Sequence, residues 1–298
     1  MRPSSGADAA GADRGERWLP FLFVGPAILL LLLVLGLPAV TALLQSFNMV
    51  WVREPGFSLD AYRQLATDPQ FASTLSTTAL YVGLVVSLHL AIGLAVALAL
   101  NADLPAKWLF RVAAILPWTV PDVISGIIWR FVFDTLPGMA NAILLRLGAV
   151  DQPVDWLGSP SLAFFGVVTA EVWRGYPFVM LILLAGLQAI PAHLYEAAAI
   201  DGAGAWQSFR YVTLPALRNM VIIAVVLDVI WEARLFGTVY GMTGGGPGDA
   251  TQLVSTLTFR QYFEFFNPAY ASAMAVVLAV TMLVVAIPYL RVTMSRNA

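Results

Sequence analysis

Six stretches of this sequence stay apolar for about twenty residues or more, the length a helix needs to cross a bilayer. They cover 18–45, 73–100, 109–133, 161–187, 218–242 and 269–292. The breaks between them are chemical: "REPGF" and "DP" after the first, "NADLPAK" after the second, and "TGGGPGD" after the fifth. A longer segment, "DTLPGMANAILLRLGAVDQPVDWLGSP", follows the third. No run alternates in the manner of a membrane β-barrel strand. Only 11% of the residues are charged, against about 25% in a soluble domain. The expected fold class is therefore an all-α integral membrane protein with six transmembrane helices.

The apolar run from Trp18 to Leu44 is longer than the roughly 7–15 residues of a signal-peptide core, so it reads as an uncleaved first span. Residues 1–17, "MRPSSGADAAGADRGER", are small and polar and are expected to form a disordered tail. Residues 18–298 then make one transmembrane domain.

Several chemistries are excluded. There is no cysteine, hence no thiol nucleophile and no cysteine metal site. His89 and His193 lie far apart and form no motif; His89 reads as an interior hydrogen-bonded residue and His193 as a surface one. No metal ligand set or catalytic residue is expected. Lys107 is the only lysine, so a phosphate loop of the G-x-x-x-x-G-K-[ST] kind is absent. Gly244, Gly245, Gly246 and Pro247 do not open a helix after a strand and read as an external turn. An intramembrane hydrolase would need a serine–histidine arrangement that the sequence does not offer.

Lysine and arginine placement sets orientation. With the N-terminus in the cytoplasm, Arg2, Arg14, Arg17, Lys107, Arg111, Arg210, Arg218, Arg291 and Arg296 fall inside, and Arg53, Arg63, Arg146 and Arg260 outside. Both termini and the stretch "EAAAIDGAGAWQSFRYVTLP", Glu196 to Pro215, are then cytoplasmic. Pro191 suits a helix start, and Gly202 suits a hinge that needs positive φ. "AWQSFRYV" suits a second helix, with Pro215 near the entry of the fifth span. Ala197, Ala198 and Ala203 keep the surface thin enough for close approach, while Trp206, Phe209 and Tyr211 supply aromatic anchors. Glu196 and Asp201 supply charge for a basic partner. From the residues alone, a hairpin folded back on its own bundle is the other reading.

The stretch resembles the signature loop of bacterial ABC importer permeases. Glu196, Ala197, Ala198, Gly202, Leu214 and Pro215 match its pattern, with Val212 where isoleucine is usual. The longer form is similar to the carbohydrate branch, near the first maltose-type permease subunit. "ILPWTVPDVISGIIW" at 115–129, "WRGYPFVMLILLAGLQAIP" at 173–191, "TGGGP" at 243–247 and "YASAMAVVL" at 270–278 agree with it. The resemblance implies that the loop, about 191–215, is a coupling helix docking on an ATP-binding subunit through Glu196, Ala197, Ala198, Asp201, Gly202, Ala203 and Phe209. It implies a bacterial inner-membrane assembly: a second permease chain, two ATP-binding subunits holding ATP and magnesium, and an external solute-binding protein. This chain would hold no cofactor, and its surroundings would be lipid, not nucleic acid.

The spans also carry Asp122, Arg130, Glu171, Arg174, Asp228, Glu232 and Arg234. A charge at mid-bilayer costs about 2.5–3.5 kcal/mol on insertion scales, so these groups should face the bundle interior or a wet path. Asp228 and Glu232 are spaced i,i+4 and share a helix face, as do Glu171 and Arg174 at i,i+3. Carboxylates suit polyhydroxylated ligands, and Trp118, Trp129, Trp173 and Trp231 offer faces for sugar C–H surfaces. The maltose-type resemblance carries a solute path onto Trp118, Asp122, Glu171, Asp228 and Glu232. Those positions are mostly neutral in that family, so an acidic path points to a polyol, a small sugar or a ligand with a cationic group. Two other readings stay open: a structural ion-pair network with Arg174 or Arg234 as partners, and a proton-coupled secondary transporter using the buried acids.

Overall fold

The computed structural model describes residues 19–51, 54–102, 105–136 and 138–294. The expected tail over 1–17, with Arg2, Arg14 and Arg17, lies outside the described residues, as do Arg53 and Arg296. No strand occurs among the described residues. The helices are α1 (Leu22–Ser46), α2 (Asp60–Thr67), α3 (Pro69–Asn101), α4 (Lys107–Ile115), α5 (Asp122–Val132) and α6 (Met139–Arg146). They continue with α7 (Pro160–Gln188), α8 (Ala192–Ile200), α9 (Ala205–Ala233), α10 (Gly237–Met242), α11 (Val254–Phe259) and α12 (Pro268–Met294).

Among the described residues, five helices are long and apolar enough to cross a membrane, and the expected third span is a bent pair. α4 continues through a 3-10 turn at Leu116–Thr119 and meets α5 at 96°. Pro117 and Pro121 are the cause. A proline disfavours the helical conformation of the residue before it, and Val120 is extended, at φ −77 and ψ 125. Asp122 therefore begins a new helix in the middle of an apolar run.

The expected fifth span, 218–242, also differs. α9 starts at Ala205, well before the apolar run, and stops at Ala233; α10 follows after a short break. The second helix of the cytoplasmic stretch is thus the first part of α9 itself. Continuity past Pro215 is achieved by a widened π turn at Phe209–Thr213. Proline has no N–H and its ring crowds the preceding turn, and a π turn relieves that crowding without breaking the helix. α1 repeats the device, with a π turn at Leu32–Gly36 just before Pro38.

α3 and α7 pack along one another and form the centre of the bundle, with α9 against both. One apolar cluster joins Tyr81, Val85, Val167, Ala170, Val239 and Met242. A second joins Ala97, Leu100, Met180, Leu183, Leu187 and Leu217 towards the end that carries α8. α5 lies on α10 almost backbone to backbone: a Cβ on Gly126 would come within 2.5 Å of the Thr238 carbonyl. α1 packs only through its last turns, where the Ser272 hydroxyl donates to Gln45 Oε1 at 3.0 Å. Its leucine-rich first part is exposed, as a lipid-facing helix would be.

Candidate solute path and coupling surface

Four helices bring the ionisable side chains of the spans together. α3 supplies Tyr81 and His89, α7 supplies Glu171 and Arg174, α9 supplies Asp228 and Glu232, and α5 supplies Asp122. Glu171, Arg174, Asp228, Glu232, His89 and Tyr81 are all buried. Charges in such a place must be compensated or neutralised, and each has a partner. Arg174 forks onto both oxygens of Glu171, its Nε donating to Oε2 at 3.2 Å. The Thr238 hydroxyl donates to the same Oε2 at 2.6 Å. The Tyr81 hydroxyl donates to Glu232 Oε2 at 3.2 Å. His89 Nδ1 lies 3.0 Å from Asp228 Oδ2, and its Nε2 lies 3.2 Å from the Glu171 carbonyl oxygen.

Asp228 and Glu232 share one buried face, as their spacing requires, but they do not pair with arginine. Arg174 is taken by Glu171. Arg234 is exposed and lies over the Trp231 ring, 5.1 Å from its centroid. The partners of the two acids are His89 and Tyr81. His89 occupies the interior, hydrogen-bonded position expected of it, and His193 is exposed.

His89, Asp228 and Glu232 present donor atoms within 4.8 Å of one another. That spacing is compatible with a cation. Each of the three is nevertheless already engaged by a group of this chain, so the arrangement reads as a hydrogen-bonded cluster.

The cluster backs onto an open cavity of about 440 Å³ lined by Trp118, Thr119, Pro121, Asp122, Arg174 and Trp231. A narrow crevice off it, again bounded by Trp118, Arg174 and Trp231, reaches Phe178, Asp228 and Glu232. The 96° bend is what turns Trp118 and Asp122 towards α7 and α9. Phe178 sits between two indoles, 6.1 Å from the Trp118 centroid and 5.9 Å from that of Trp231. Of the five residues assigned to the path from sequence, Trp118, Asp122, Asp228 and Glu232 line these spaces. Glu171 lies behind them, reaching the cavity only through Arg174. Trp129 and Trp173 pack on each other at 5.8 Å and line neither space. Arg174, Phe178 and Tyr81 were not assigned to the path. The i,i+3 spacing of Arg174 from Glu171 is the only signal the sequence held for any of them.

A second and larger cleft, about 980 Å³, opens beside the glycine-rich turn. Arg130, Asp134, Thr243, Pro247, Asp249 and Arg260 are among its walls. Arg260 donates to Asp249 at 3.1 Å and to Gln252 Oε1 at 3.1 Å, fixing the turn against α11 and the residues after it.

At the other end, α8 and the start of α9 form a hairpin. Gly202 closes α8 with φ +79, a left-handed value that glycine adopts without strain. The Gly204 N–H donates to Gln207 Oε1 at 2.8 Å and starts α9. The Tyr195 and Thr213 hydroxyls join the two helices at 3.0 Å. Glu196, Ala197, Asp201 and Gly202 are exposed, and Ala198, Ala203 and Phe209 are half-buried. Ile200, Trp206 and Tyr211 are also exposed, so an apolar and acidic face is left uncovered by the described residues.

These features are those of a helical membrane protein with a buried polar cluster and an exposed hairpin. The model of the family described as "Binding-protein-dependent transport system inner membrane component" matches residues 89–293, and the chain belongs to that family. It is 37% identical over 280 residues to the trehalose/maltose transport system permease protein MalF of Thermococcus litoralis, covering 93% of this chain and 94% of that protein. It is 32% identical over 289 residues to the sulfoquinovosyl glycerol transport system permease protein SmoG of Agrobacterium fabrum, covering 96% and 93%. Its fold matches a chain of a bacterial ABC transporter involved in the import of the acidic polysaccharide alginate, with a TM-score of 0.82 at 21% identity over 97% of this chain and 99% of that one. The chain is thus a multi-pass inner-membrane permease. The proton-coupled alternative finds no support among these relatives.

Proposed function

We propose that this chain is the permease of an ATP-driven ABC importer for a carbohydrate or related polyhydroxylated solute. The carrying observation is the continuity of α9: one helix begins at the exposed hairpin and ends at Asp228 and Glu232 on the path. Force applied to the hairpin reaches the path without crossing a flexible joint. The permease relatives named for trehalose/maltose and for sulfoquinovosyl glycerol support a glycan-type solute. The indole faces of Trp118 and Trp231 and the carboxylate of Asp122 offer the C–H and hydroxyl contacts such a solute needs.

In this reading Glu196, Ala197, Ala198, Asp201, Gly202, Ala203 and Phe209 form the docking face for an ATP-binding subunit, which hydrolyses ATP with magnesium. Trp118, Asp122, Asp228 and Glu232 bound the solute path, and Glu171 fixes Arg174 at its edge. A second permease chain completes the path, two ATP-binding subunits drive it, and an external solute-binding protein delivers the solute. Both termini are cytoplasmic. The complex reconstituted in vesicles, with labelled sugars and the binding protein outside, tests this. Uptake should require ATP inside and stop when the ATP-binding subunits are made hydrolysis-deficient. Uptake driven by a proton gradient without ATP would overturn the proposal.

A further inference from the structure

Both ring nitrogens of His89 face acceptors, and the ring is fully buried. Nε2 approaches the Glu171 carbonyl oxygen, which can only accept, so Nε2 carries hydrogen. Nδ1 approaches the two Asp228 carboxyl oxygens at 3.0 and 3.2 Å. A neutral imidazole with hydrogen on Nε2 has a bare lone pair on Nδ1. That lone pair cannot bond an ionised carboxylate. The contact holds together only with one more proton, carried by Nδ1 or by Asp228.

The ring lies directly against the α7 backbone at Gly175, where even a Cβ would overlap it. The neighbouring groups are engaged elsewhere: Arg174 and the Thr238 hydroxyl bond Glu171, and the Tyr81 hydroxyl bonds Glu232.

We infer that His89 is a positioning residue of the solute path: the proton it shares with Asp228 holds that carboxyl group against α3 and in register for solute. The inference rests on the proposed function in taking Asp228 as a path residue. Without the ring's bond the carboxyl group leaves its register, and solute affinity, not turnover, should suffer.

Two measurements on the assembled complex test this. In the first, nitrogen-15 NMR of histidine-labelled permease reads protonation directly. The chain has two histidines, and exposed His193 is identified by broadening with an aqueous paramagnetic ion. The remaining signal should show Nε2 protonated and Nδ1 either protonated or accepting a strong hydrogen bond. An unprotonated Nε2, or a free Nδ1 beside an ionised Asp228, overturns the inference whatever the complex transports. In the second, uptake kinetics compare the wild type with His89→Leu, which cannot hydrogen-bond, and with His89→Gln, whose amide N–H can still donate to Asp228. His89→Leu should raise KM about tenfold with kcat little changed, and His89→Gln should recover much of that loss. Equal KM values in the wild type and His89→Leu overturn the inference while leaving carbohydrate import intact. Absence of sugar uptake by the wild type sinks the proposed function instead, and the spectrum still decides the proton.

Discussion

The hydroxyls of Tyr195 and Thr213 meet at 3.0 Å and brace α8 against the π turn of α9. The brace ties α8 to α9. Tyr195→Phe removes one bond worth about 1 kcal/mol and leaves packing unchanged. Assembly should persist, with sugar-stimulated ATP hydrolysis reduced severalfold. Stimulation equal to wild type would show that the brace carries no load.

Gly202 ends α8 at φ +79. Proline holds φ near −65°, so Gly202→Pro cannot form this turn. The spans should insert normally while the ATP-binding subunit no longer copurifies. Glu196→Lys, which reverses an exposed charge, should weaken the same association if the docking cleft is basic. Copurification at wild-type level in both variants would remove the hairpin from coupling.

Asp228→Asn and Glu232→Gln keep hydrogen-bonding capacity and remove charge. A lost charge-assisted bond corresponds to about 1.5–3 kcal/mol, so uptake per assembled complex should fall about tenfold or more. Lower yield with unchanged uptake per complex would mark the two acids as structural.

Arg174 and Glu171 form a buried pair on successive turns of α7. Breaking such a pair from one side costs about 3–5 kcal/mol, whereas replacing both members by neutral groups is often close to neutral. Arg174→Met should therefore lower the thermal midpoint of the complex sharply. Adding Glu171→Gln should restore much of it without restoring uptake, because Arg174 also lines the cavity. Uptake that returns together with stability would confine the pair to a structural role.

Gly175→Ala places a methyl group into the His89 ring. Overpacking of this kind costs about 1–3 kcal/mol. The variant should lose thermal stability, and its KM for uptake should rise as that of His89→Leu does. A wild-type KM would mean that the ring shifts without losing its contacts.

The long apolar runs announced the helices because a bilayer leaves a chain almost no other way to satisfy its backbone. The bend at Val120 was written in Pro117 and Pro121, but counting apolar residues averages across them. The start of α9 was misplaced for the opposite reason: Pro215 looked like a boundary, and a π turn absorbs it. The buried acids were legible because charge in an apolar run is conspicuous. Their partners were not. His89 and Asp228 are 139 residues apart and Tyr81 and Glu232 are 151 apart, and nothing in local spacing links them. Only the packing of α3 against α9 does so.

α9, continuous through its π turn, gives the molecule a lever arm. At 1.5 Å per residue, Asp228 stands about 35 Å along the axis from Ala205. If the rod tilts by about 5° about its hairpin end, the carboxylate sweeps sideways by about 3 Å, the length of one hydrogen bond. Small angular motion at the hairpin is therefore large enough to make or break a contact at Asp228. In the proposed importer, a rotation outside the membrane would thus be read as a change of binding within it.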